Sequence, residues 1–138
     1  MGRKQAREGT MQVLFQMDSM SDYGEDSLEV FLSNFEFDES ETLYIRESVG
    51  TIRDNLEEID KSIKDNLEGW SIYRLAKVDL AVLRIAIYEI LYRKDIPVEV
   101  SINEAIETVK KYSTEDSFKF VNGVLGGFVR SKEKLDPQ

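Results

Sequence analysis

The segment LAVLRIAIYEILY, Leu80–Tyr92, decides the fold of this 138-residue chain. It lies in a helix predicted from Leu75 to about Arg93, and its apolar residues cover nearly the whole circumference. A surface helix is apolar along one stripe. A helix that is apolar on every side belongs in the middle of a bundle. Arg84 and Glu89 interrupt the run, which is too short and too charged to cross a membrane.

Outward from this centre the pattern is helical nearly throughout. A first helix is predicted from about Arg3 to Met20, with Ala6, Thr10, Val13, Leu14 and Met17 on one face. SDYGEDS, Ser21–Ser27, breaks it, and a short helix follows around Leu28 to Phe35. DESE, Asp38–Glu41, offers an acidic helix start. From there Ile45, Val49, Ile52, Leu56, Ile59, Ile63 and Leu67 step by three or four as far as Glu68. Asn55 and Glu58 have capping-box spacing, so two helices jointed near Asn55 are expected.

Gly69 ends that region, and Trp70 and Tyr73 lie in the connection to the central helix. KDIP, Lys94–Pro97, breaks the chain again. The next helix is expected to begin between Pro97 and Ser101 and to reach about Tyr112. Pro97 suits a first turn, and Ser101 and Glu104 have capping-box spacing. Ser113 or Thr114 is expected to cap a last helix ending near Lys132, with the tail Glu133–Gln138 fraying. No segment reads as a strand. The expected fold is all-α: a compact bundle of six or seven helices, one domain over residues 1–138.

Neither cysteine nor histidine occurs. That excludes disulfides, the usual zinc sites, cysteine nucleophiles and every triad with a histidine base. No Gly-rich phosphate loop is present, and the acidic residues lack EF-hand spacing. Asp79 and Glu89 form a conceivable acid–base pair, but pairing with Arg84, Arg74 or a partner protein is the expected use of their charge. The chain is expected to be no enzyme and to need no cofactor or metal. Its basic start lacks the apolar core and cleavage site of a signal peptide, so a cytoplasmic protein is expected.

Net charge is −9, but it is unevenly spread. Residues 1–17 carry +2, residues 18–69 carry −12 and residues 70–138 carry +1. Both ends are free to present local positive potential. Arg3 and Arg7 are one turn apart on the first helix with Lys4 beside them, so all three are expected to line one edge.

The last helix carries FKFVNGVLGGF, Phe118–Phe128. Val121, Val124, Leu125 and Phe128 keep helical spacing, yet Gly123, Gly126 and Gly127 cost about 3 kcal/mol against alanine at about 1 each. Lys119, Asn122, Gly123, Gly126 and Arg130 then face away from the core. Such a face admits a phosphate chain at close range, with Phe118 or Phe120 stacking on an unpaired base. Close packing of two helices is the reading of the glycines that the residues favour at this level.

Four segments now resemble one family in one order. RKQAREGTMQVLFQM, Arg3–Met17, places Ala6, Arg7, Gln12 and Phe15 as an Arg-rich first helix does. The central segment carries Trp70, Arg74, Asp79, Leu83, Arg84, Tyr88 and Glu89. IPVEVSINEAIETVKKYS and FKFVNGVL follow. Over nearly its whole length the chain is similar to the NusB family of transcription antitermination factors.

That resemblance implies a non-enzymatic, all-helical protein that binds the single-stranded boxA element of ribosomal RNA leader transcripts. It implies pairing with the small-subunit ribosomal protein NusE, within a complex of NusA, NusG and RNA polymerase that suppresses termination. The RNA side would use Arg3, Lys4, Arg7, Phe118, Lys119, Phe120, Asn122 and Gly126. The NusE side would use Phe15, Asp79, Leu83 and Arg84. Three positions depart from the family pattern: Gln5 where another Arg is frequent, Gly126 where an acid is common, and Phe118 where a polar residue or His is common. Two alternatives remain open: a helical protein-binding adaptor, and the NusB-like RNA-binding domain of an rRNA methyltransferase.

Overall fold

The computed structural model describes residues 3–69 and 71–135. These form seven α-helices and no strand. The helices are α1 (Arg3–Met20), α2 (Glu25–Asn34), α3 (Glu39–Asp54), α4 (Leu56–Lys64), α5 (Lys77–Tyr92), α6 (Val98–Tyr112) and α7 (Glu115–Leu135). A 3-10 turn, Ile72–Arg74, leads into α5. Trp70 and the end of the expected frayed tail, residues 136–138, lie outside the described residues.

α5 is the axis. Every residue from Asp79 to Ile90 is buried, and α1, α3, α4, α6 and α7 pack around it. The all-round apolar pattern of this helix therefore has the physical cause read from the sequence: no side of it meets water. α1 and α3 approach closely because Gly9 has no side chain. A Cβ there would lie 2.9 Å from Ile45 Cδ1 and 3.0 Å from the Phe37 ring. The Thr10 and Ser48 hydroxyls, 2.9 Å apart, satisfy each other at the same crossing. On α2 and α3, Glu29 pairs with Arg46 and Glu25 with Arg53.

The helix starts obey local chemistry in part. Asp38 caps α3 in a full capping box: its Oδ1 accepts from Glu41 N–H at 2.8 Å, and Glu41 Oε1 accepts from Asp38 N–H at 2.9 Å. Thr114 Oγ1 accepts from Ser117 N–H at 3.2 Å at the start of α7. The two boxes expected from the sequence are absent. Asn55 does form the joint between α3 and α4, but its Nδ2 donates backwards to Thr51 O at 2.8 Å. Ser101 lies inside α6, which begins at Val98 with Pro97 as its N-cap, and its hydroxyl serves Glu89 instead. α4 stops at Lys64, short of the expected Glu68, and α7 continues to Leu135, beyond the expected Lys132.

Candidate nucleic-acid and partner interface

The first helix divides its three cations. Arg3 and Lys4 are exposed, and the Arg3 guanidinium lies 5.0 Å from the centre of the Tyr44 ring. Arg7 does not join them on an outer edge. It is buried, with Nε donating to Glu89 Oε2 at 2.7 Å and Nη2 to Oε1 at 3.1 Å. The reason lies on α5. A carboxylate at position 89 of the central helix is cut off from water and needs a fork of donors. Tyr44 OH and Ser101 Oγ, the latter at 2.7 Å, complete its shell, and Glu104 lies 3.6 Å from Arg7 Nη1. Burial alone would lower the Arg7 pKa, but the bonds and charge of Glu89 outweigh it and hold it above the usual value. Burial first and Glu89 second push the Tyr44 hydroxyl up.

The residues expected to face a protein partner are also mostly turned inward. Leu83 is fully buried, and Arg84 is 4% exposed. Arg84 grips Asp60 with Nε at 2.9 Å and Nη2 at 2.8 Å, and Asp18 lies 3.6 Å from its Nη1. It therefore ties α5 to α4 and α1 and offers no surface charge. Phe15 is the exception at 41% exposed.

Asp79 is the informative member of this set. It is 5% exposed, and its Oδ2 accepts from Ser117 Oγ at 2.8 Å. Its Oδ1 is buried without a hydrogen-bond partner. A buried acceptor left unmade is costly, of order 1–3 kcal/mol. Asp79 also lines a slot of about 310 Å³ between the starts of α5 and α7, with Arg74, Leu75, Ala76 and Phe120.

On α7, Lys119 and Asn122 are exposed, and Phe118 and Phe120 are half-buried against the core. Lys110 Nζ lies 4.8 Å from the centre of the Phe118 ring. The three glycines separate into different cases. At Gly127 a Cβ would lie 2.6 Å from Asn66 Oδ1, so this glycine admits the end of α4. Gly126 meets only Arg130 Nη1, at 3.3 Å, and Gly123 meets nothing within 4 Å. Helix one is not what the bare face accommodates.

Sequence reasoning missed Tyr44, Asp60, Ser101 and Ser117 as partners of the buried charges. Each is a common polar residue, and only the assembled fold brings it to its ion. Asp38, Glu89 and the other acids are dispersed: among the described residues no three are grouped to hold a metal ion.

Fold and surface together define an all-helical protein, with unpaired exposed cations at the start of α1 and along α7 and a slot between the starts of α5 and α7. The chain belongs to the NusB family, whose model matches residues 4–130. This is a family of non-enzymatic transcription antitermination factors, and the chain is not an enzyme. It is 42% identical over 132 residues to transcription antitermination protein NusB of Acetivibrio thermocellus, covering 96% of this chain and 91% of that protein. The NusB of Alkaliphilus oremlandii is 44% identical over 132 residues, covering 96% of each. Among solved structures, NusB of T. maritima superposes with a TM-score of 0.88 at 41% identity, covering 99% of this chain and 98% of that one. A chain from a crystal structure of antitermination factors NusB and NusE with double-stranded RNA gives a TM-score of 0.82 at 29% identity, covering 94% and 96%.

Proposed function

We propose that this chain is a cytoplasmic antitermination factor that binds boxA-type single-stranded RNA of ribosomal RNA leaders together with NusE. In that assembly, with NusA and NusG, it helps RNA polymerase read through terminators. The observation that carries the reading is the division of the basic residues. Arg7, Arg46, Arg53, Arg84 and Arg93 all have carboxylate partners. Arg3 and Lys4 on α1 and Lys119 on α7 are exposed and have no ion pair among the described residues, and the same holds for Lys64, Arg74, Lys94 and Arg130. Unpaired surface cations on an otherwise acidic protein suit a polyanion, because each phosphate contact releases counterions. Asn122 and the open side of Gly126 adjoin Lys119 on α7. Phe118 and Phe120 are less free, since each ring is half-buried.

For NusE, the reading uses exposed Phe15 and the slot at Asp79. Leu83 and Arg84 act behind this surface by holding α5 in place. The relatives matched are themselves close to this chain in length, which favours the free-standing factor over a methyltransferase domain.

The test is an anisotropy titration of a labelled boxA-type RNA, with and without purified NusE, at two salt concentrations. Few cations and a net charge of −9 lead us to expect weak, salt-sensitive binding that NusE strengthens. Capture of NusE with no RNA binding in either condition would leave only the protein adaptor.

A further inference from the structure

We infer that the groove between the end of α4 and the glycine face of α7 is a nucleotide subsite, holding one unpaired base with an exocyclic amino group over Gly123. The inference rests on the RNA-binding reading and adds Asn66, Gly123 and Arg130 to it.

The groove encloses about 480 Å³. Lys119 and Arg130 both line it. They are eleven residues apart, about three turns, so roughly 16 Å of helix separates them on one face. Neither has a carboxylate within ion-pair distance among the described residues, and two free cations at this spacing suit a phosphate chain better than a protein segment.

Asn66 forms the opposite wall. Its Nδ2 donates to Ser62 O at 2.9 Å, which turns Oδ1 toward α7, where a Cβ at position 127 would lie 2.6 Å from it. The groove therefore presents an acceptor of fixed direction. Glu68 adds a second acceptor, while Asp65 is occupied by Lys61 at 3.0 Å. Acceptors on this wall disfavour a phosphate there and favour an amino group. Adenine, cytosine and guanine carry one; uracil does not. Half-buried Phe120 also borders the groove and offers a ring edge or face for stacking.

Gly123 completes the argument. Helix propensity disfavours glycine, and no neighbour lies near enough to require it. A side chain at this position would instead occupy the groove.

The experiment uses the full chain and labelled 12-nucleotide oligo(A), oligo(C) and oligo(U), with melting temperatures measured in parallel. Gly123→Leu should raise the melting temperature and weaken oligo(A) and oligo(C) binding at least tenfold. Asn66→Ala should weaken the same two by about three- to tenfold, as one lost hydrogen bond does, and leave oligo(U) unchanged. Arg130→Ala should reduce the slope of log affinity against log salt by about one. If the parent protein binds RNA and both Gly123→Leu and Asn66→Ala match it, the subsite is overturned and the RNA-binding reading stands. If the parent binds the boxA-type RNA but none of the three oligomers, the subsite is overturned and the RNA-binding reading stands; if it binds neither that RNA nor the oligomers, with or without NusE, both fall.

Discussion

Arg7 carries a charge into a place where charge is expensive, and it does so because Glu89 is already there. The pair is bidentate, and Tyr44 and Ser101 use the remaining acceptor capacity of the carboxylate. Removing one partner of such a pair leaves the other buried and unpaired, at a cost of about 3–5 kcal/mol. Arg7→Ala should therefore lower stability by that amount in urea unfolding at pH 7, whereas Lys4→Ala, at an exposed position, should change it by less than about 0.5 kcal/mol. Equal effects would mean that the ion pair contributes nothing beyond a surface contact. Arg7 was expected to line an outer edge with Arg3 and Lys4, yet it lies three residues from Thr10 and seven from Leu14, beside the face predicted to be buried, and it turns inward. The partner was not legible, because positions 7 and 89 meet only after α1 has docked on α5. Asp79 follows the same logic: its place on the central helix was readable, but its unmet oxygen depends on where Ser117 falls.

Element by element, the helices followed from periodicity, because burial of one stripe is set by spacing that the sequence displays directly. Capping was less readable. Asp38, Asn55 and Ser101 all have capping-box spacing, yet only Asp38 makes the box: the Asn55 side chain donates back to Thr51 O, and Ser101 lies inside α6 with its hydroxyl donating to Glu89. Glycines were the least readable, because their meaning depends on what lies opposite. Gly9 and Gly50 are both inside helices, and propensity alone favours alanine at each by about 1 kcal/mol. At Gly9, however, a Cβ would press on buried Ile45 and on Phe37, and overpacking of this kind costs about 1–3 kcal/mol. At Gly50 the nearest atom is Arg53 Nη2, at 4.0 Å. Thermal and urea unfolding should thus give opposite signs: Gly50→Ala stabilises, and Gly9→Ala is neutral to destabilising by about 2 kcal/mol. A stabilised Gly9→Ala would show that α1 and α3 can part at little cost.

For the whole molecule, acidity sets the pH range of stability. At pH 7 the net charge of −9 repels itself, so mild acidification relieves strain on the fold. Opposing this are carboxylates held below their ordinary pKa. Burial would raise the Asp18 pKa, but hydrogen bonds from Lys77 at 2.6 Å and Tyr23 at 2.8 Å, with the nearby Arg84 charge, outweigh it. Asp38, Asp95 and Glu29 are shifted downward too: Asp38 by its capping bond from Glu41 N–H, Asp95 by Arg93 and Glu29 by Arg46. A carboxylate whose folded pKa lies below its unfolded value contributes stability in full above the unfolded value. That stability is lost as pH falls through the folded one. Melting temperature should therefore change little, or rise slightly, between pH 7 and 5, and fall below about pH 4, where unfolded carboxylates take up protons. Asp18→Asn should lower it at pH 7 and lose less than the parent between pH 5 and pH 3, because the missing carboxylate no longer binds a proton on unfolding. A melting temperature that climbs steadily to pH 3 would show that charge repulsion outweighs these bonds, and an Asp18→Asn profile parallel to the parent would remove Asp18 from the account.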